Sequence, residues 1–70
     1  MNTYEEGNTI LFQGSEYLIM KVVEMDLKRY LILASNKEFF ELLVCLEKEG
    51  NDLELVSDEN LRKKILFEMA

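Results

Sequence analysis

The chain contains no histidine, no tryptophan and no proline, and a single cysteine among its 70 residues. Without histidine it lacks the side chain that most often acts as general base, proton shuttle and zinc ligand near neutral pH. A structural zinc site needs four cysteine or histidine ligands, and Cys45 stands alone. Any disulfide would have to join two chains, so a reducing compartment is the simpler setting. No apolar run reaches the ~18 residues of a membrane-spanning helix. The opening Met1-Asn2-Thr3-Tyr4-Glu5-Glu6 is acidic where a secretory signal carries positive charge, and the sequence reads as cytoplasmic. Cations are scarce as well: 8 basic residues face 14 acidic ones, for a net charge of -6. That balance argues against a grip on nucleic acid or anionic lipid through bulk charge. With no glycine-rich phosphate loop and no nucleophile beside a base, the expectation is a non-enzymatic chain that takes no cofactor and no metal.

What is present is apolar: 49% of the residues, in a length that accommodates one small domain. A chain this short buries only about 60% of the surface its unfolded form exposes, so spare hydrophobic surface is expected. Residues 1–8 are polar, end in Gly7-Asn8 and read as a flexible lead, with Tyr4 able to dock; residues 9–70 form the domain. Thr9-Ile10-Leu11-Phe12 is a short β-rich run stopped by Gln13-Gly14-Ser15. From Glu16 to Asp26 both alternating sets are largely apolar, Tyr17, Ile19, Val23 and Met25 against Leu18, Met20 and Val22, as in a strand covered on both sides. Leu27-Lys28-Arg29 reads as a connection and Tyr30 to Ala34 as the returning strand of a meander.

Ser35 to Glu49 admits two readings. As a helix, Ser35 and Glu38 have the spacing of a capping box, and Phe39, Leu42, Leu43 and Leu46 form a stripe. As a strand, which is preferred, it pairs with its neighbour around a Gly50-Asn51 turn, Lys48 opposite Leu53 and Leu46 opposite Leu55. That register gathers Val44, Leu46, Leu53 and Leu55 on one face and Glu47, Glu49, Asp52 and Glu54 on the other. The ending is helical: Ser57-Asp58 offers a cap, Asp58 and Glu59 suit the positive helix start, and Leu61, Ile65 and Met69 share a stripe from which Phe67 points away. The fold class is therefore α+β, an antiparallel β-meander of four to five strands with one C-terminal helix packed on the sheet.

Ile10, Phe12-Gln13-Gly14, Tyr17, Glu24-Met25-Asp26, Tyr30-Leu31-Ile32-Leu33, Glu49-Gly50-Asn51-Asp52 and Val56-Ser57-Asp58-Glu59-Asn60-Leu61 follow one another in that order. Together they resemble short acidic proteins of unknown function from Gram-positive bacteria and their phages, including the YrzB-like group, over residues 9 to 66. The resemblance implies a β-meander followed by a helix, and no activity. The Phe39-to-Leu46 run is more apolar than that pattern.

The acid cluster is the sharpest functional feature. Glu47, Glu49, Asp52, Glu54, Asp58 and Glu59 lie in one window with the single cation Lys48. In the expected register Glu49 faces Asp52 and Glu47 faces Glu54, pairs that cost a sheet a few tenths to about 1 kcal/mol. The functional reading is a docking face for a basic protein surface, as in a phage or mobile-element inhibitor or adaptor whose carboxylates stand in for phosphates. The plainer reading is a solvated hairpin end whose charge prevents edge-to-edge aggregation. Glu49-Gly50-Asn51-Asp52 is too short for a calcium loop. Cys45, between Val44 and Leu46, reads as a packed, inert thiol. Tyr17 and Tyr30 read as packing residues, because a base-stacking platform needs surrounding lysine and arginine. Arg62-Lys63-Lys64 reads as a solvated face. Phe39, Phe40, Leu43 and Phe67 exceed what one helix on a small sheet covers, so some should meet a partner or a second copy. The partner-binding candidates are Glu47, Glu49, Asp52, Glu54, Phe39 and Phe67, and the alternative to a binding domain is a structural homodimer with no separate ligand.

Overall fold

The structure is a computed structural model that describes residues 4–35, 41–50 and 52–69. Five strands, β1 (Thr9–Phe12), β2 (Ser15–Met25), β3 (Lys28–Ser35), β4 (Leu42–Lys48) and β5 (Asp52–Leu55), precede one helix, α1 (Glu59–Phe67). They form a single antiparallel sheet in the order β1-β2-β3-β4-β5, curled into a half-barrel, so the expected α+β meander with its C-terminal helix is the observed fold. The strand reading of Leu42–Lys48 holds; Phe39 and Phe40 lie outside the described residues.

Two tight turns start the meander. Phe12 pairs with Ser15 across Gln13-Gly14, and Met25 with Lys28 across Asp26-Leu27. Both central residues of each turn have positive φ, from 52° at Gln13 to 81° at Gly14, the signature of the type I′ turn whose twist matches the strands it joins. The second connection is therefore Asp26-Leu27, and Lys28 and Arg29 belong to β3. Leu27 occupies the left-handed region at φ 63° with its side chain fully in solvent, an arrangement that costs a non-glycine residue about 1–2 kcal/mol.

Between Ile19 and Lys21 the β2–β3 register slips, because Met20 is an extra residue on β2. Alternation has period two, so one inserted residue exchanges the faces beyond it. Tyr17 and Ile19 consequently share a face with Val22, whereas Val23 and Met25 lie on the other. The single face expected for Tyr17, Ile19, Val23 and Met25 is thus split in two.

Strand β3 is covered on both sides. On one, Val23, Tyr30, Ile32 and Val44 meet Ile65 of α1, with Leu42, Leu46, Val56, Leu61 and Leu66 around them. Asp58 caps the helix by accepting from the Asn60 and Leu61 amides, at 2.9 and 3.4 Å. Arg62, expected to be a solvated cation, donates from Nη2 to the Leu42 carbonyl at 3.1 Å and so ties α1 to β4. Met69, expected on the apolar stripe, lies beyond the helix and is exposed.

Among the described residues no helix covers the other side. There Ile19, Leu31, Leu33 and Cys45 are buried beneath Tyr4, Ile10, Phe12, Tyr17, Leu43 and Leu53, residues drawn from the lead and from β1, β2, β4 and β5. The curl brings the sheet margins over their own centre, with Phe12 and Tyr17 edge-on at 6.3 Å. Residues 4–8, read from the sequence as a lead, carry bonds to the sheet: Gly7 N donates to the Ile19 carbonyl at 2.9 Å, and the Asn8 carbonyl accepts from Ile19 N at 2.8 Å. Glu6 Oε2 accepts from Val22 N at 3.1 Å.

Candidate functional site

The acidic window is built on the β4–β5 hairpin, and its register decides which carboxylates face which way. Lys48 stands opposite Asp52, Glu47 opposite Leu53, Leu46 opposite Glu54 and Cys45 opposite Leu55. This is one residue away from the register expected above, with Glu49, Gly50 and Asn51 as the link. The physical reason is charge. The expected register sets Glu49 against Asp52 and Glu47 against Glu54, whereas the observed one sets Lys48 against Asp52 and gives Glu47 an apolar opposite. Glu47 and Leu53 therefore lie on the self-covered face, and Asp52 and Glu54 on the helix side. The common face expected for Glu47, Glu49, Asp52 and Glu54 does not form, nor does the apolar face of Val44, Leu46, Leu53 and Leu55.

Glu47 is absorbed into the fold. Its neighbour across β3–β4 is Arg29, whose Nε donates to Glu47 Oε1 at 2.8 Å. The same guanidinium reaches the Tyr4 carbonyl through Nη2 at 2.6 Å and Glu24 Oε2 through Nη1 at 3.6 Å. A planar fork with several donors is the side chain suited to such a junction. The hydrogen bond to Glu47 is the main reason the Arg29 pKa lies above its ordinary value. Burial, followed by the negative charges of Glu47 and Asp52, raises the Tyr4 phenol. With only 13% of its side chain exposed, Glu47 is not available to a partner.

The remaining acids are displayed. Glu49, Asp52, Glu54, Asp58 and Glu59 are exposed, spread from the hairpin end along β5 to the start of α1. Glu54 Oε1 holds Lys48 Nζ at 3.1 Å with both side chains at least half exposed, a pairing that solvent screens. Asp58 stays exposed while its side chain caps the helix. Between β5 and α1 lies a shallow recess of about 230 Å³ whose lining includes Tyr30, Leu46, Val56 and Leu61, with Glu54, Asp58 and Lys28 among its polar groups.

Of the sequence candidates, then, Glu49, Asp52 and Glu54 stand together at one end, and Glu47 is turned away from them. Phe39 lies outside the described residues. Phe67 closes α1 with 76% of its surface exposed and takes no part in either apolar cluster. Cys45 is sealed in the self-covered core, and burial pushes its thiol up to about 11. Tyr30 is buried and Tyr17 packs on Phe12, as expected of packing residues. Among the described residues no three of histidine, cysteine, aspartate or glutamate gather closely enough to hold a metal ion, and no helix is long and apolar enough to cross a membrane. Sequence reasoning missed Arg29, whose role depends on a β3–β4 register that no local pattern marks. It also missed Leu27, which the two-residue spacing between Met25 and Lys28 does signal. Comparison of the chain with family models, with curated proteins and with solved structures finds no match.

Proposed function

We propose that this chain is a non-enzymatic interaction domain that engages a basic protein surface with the exposed acids of its β5–α1 end. The observation that carries the reading is the display of Glu49, Asp52, Glu54, Asp58 and Glu59 along one end, where Lys48 pairs with Glu54 and Lys28 lines the recess. Like charges gathered on a small domain cost stability through self-repulsion, and they raise the association rate with a surface of opposite sign. Carboxylates that stand in for phosphates suit an inhibitor or adaptor of a protein that ordinarily holds nucleic acid.

The test is capture of partners from a bacterial lysate by the wild-type chain and by the triple variant Glu49→Lys, Asp52→Lys, Glu54→Lys. A second variant, Glu5→Lys with Glu16→Lys, controls for bulk charge. Recovery of a basic protein should vanish with the triple variant, survive in the control and weaken as salt rises toward about 0.5 M. Equal recovery by the two variants would remove the β5–α1 end from the account.

A further inference from the structure

The two margins of the sheet are protected differently. Just beyond β5 the Val56 amide donates to the Val44 carbonyl, which fixes the phase of the ladder so that Leu53 and Leu55 turn their backbone groups outward. The outward Leu53 amide is already occupied, because Asp52 Oδ1 accepts from it at 3.1 Å. Asp52 and Glu54 add charge along the same short strand. This is how a sheet edge is closed to pairing.

Among the described residues strand β1 has no such protection. The Asn8 carbonyl accepts from Ile19, so Asn8, Ile10 and Phe12 bond inward to β2, and the N–H and C=O groups of Thr9 and Leu11 point away from the sheet. Thr9-Ile10-Leu11-Phe12 carries no charge, and Asn8 and Gln13 on either side carry none. Leu11 is 77% exposed, and on the same face Leu18 is exposed as well, with Met20 at the bulge beyond it.

We propose that β1 is a self-association edge, on which a second copy of this chain pairs antiparallel about a two-fold axis at Ile10. In that register Thr9 of one copy lies opposite Leu11 of the other and Ile10 opposite Ile10. Every outward donor and acceptor of one edge then meets its complement on the other, as an isologous contact requires. Charge selects the same place. Two molecules of net charge -6 repel over most of their surfaces, and β1 is a strand free of that charge. The pairing joins two half-barrels through one continuous sheet and leaves the β5–α1 ends at its opposite extremes. A dimer so built presents its acids twice, yet its formation does not depend on their having a partner.

Sedimentation equilibrium of the full chain from about 1 to 500 µM, the concentration range of weak edge pairing, reads the association. Mass should rise from 8.3 kDa toward twice that value. Thr9→Pro removes an outward donor and no β1–β2 bond, and Leu11→Lys adds charge at the edge; each should lower self-association at least about tenfold. Amide exchange in the wild-type chain gives an independent readout, with Thr9 and Leu11 protected in proportion to concentration. A chain that stays at 8.3 kDa throughout overturns the proposal. So does a dimer that leaves the Thr9 and Leu11 amides fast-exchanging, and so does protection of those amides only on addition of an unrelated extended peptide.

Discussion

The two faces of the sheet reach the same degree of burial by different routes. Toward the helix, Ile32 and Val44 are sealed by a separate element that is capped by Asp58, anchored by Arg62 and centred on Ile65. On the other side Leu31, Leu33 and Cys45 are equally sealed with no separate layer, because the curl carries Ile10, Phe12 and Leu53 over them and Arg29 ties the lead to β2 and β4. A chain of 70 residues has material for one covering helix, and curvature supplies the second cover. The bulge at Met20 contributes to this directly, since bulges increase local twist and bend the strand that carries them.

Variants separate the two covers. The largest expected effect lies under the helix: Ile65→Ala should cost about 3 kcal/mol in urea unfolding, the range for an isoleucine removed from a closed core. Amide exchange in that variant should accelerate along α1 before it does in β2 and β3. Uniform acceleration would mean that the two faces are one cooperative unit, and the comparison would fail.

Under the curl the informative group is Cys45. Its thiol titrates near 11 in the fold against an ordinary 9.0 because burial disfavours the thiolate. The unfolded chain therefore loses its proton first, and stability that is complete below pH 9 declines as pH rises to about 11. That rise corresponds to about 2–3 kcal/mol at the alkaline end. Denaturation midpoints for the wild type and Cys45→Ala at pH 8 and pH 10.5 should show a steeper alkaline loss in the wild type. Parallel losses would place the thiol in contact with water and open the curled face.

A smaller effect is expected at Arg29. Replacing it by methionine leaves the largely buried Glu47 without the Arg29 donor and removes the Arg29 bond to the Tyr4 carbonyl. The expected cost is about 1–2 kcal/mol, reduced because a third of the arginine side chain is exposed. Arg29→Lys should restore only part of it, since an ammonium cannot span Glu24, Glu47 and Tyr4 together.

Much of the architecture was legible from local signals. Gln13-Gly14 marks the first turn, the β-branched and apolar runs mark β2 and β3, and Asp58 ahead of Leu61 and Ile65 marks α1. What escaped was parity. In β2 both alternating sets are apolar, so an added residue at Met20 leaves no trace in the pattern. In β4–β5 the Gly50-Asn51 signal for a two-residue turn conflicts with the electrostatics, because it sets like charges opposite each other, and that repulsion is a reason for the hairpin to take another register. The site is therefore legible in part: Glu49, Asp52 and Glu54 are exposed at one end, and Glu47 is a structural partner of Arg29.

Everything said of the displayed acids rests on that hairpin register, and nuclear Overhauser contacts between α-protons read it directly. With the Val56 amide donating to the Val44 carbonyl, Glu47–Leu53 and Cys45–Leu55 are the pairs without mutual hydrogen bonds, whose backbones approach most closely. Strong α-proton contacts are expected between Glu47 and Leu53 and between Cys45 and Leu55. Contacts from Glu47 to Glu54, or from Leu46 to Leu55, would return Glu47 to the exposed acids and contradict the account.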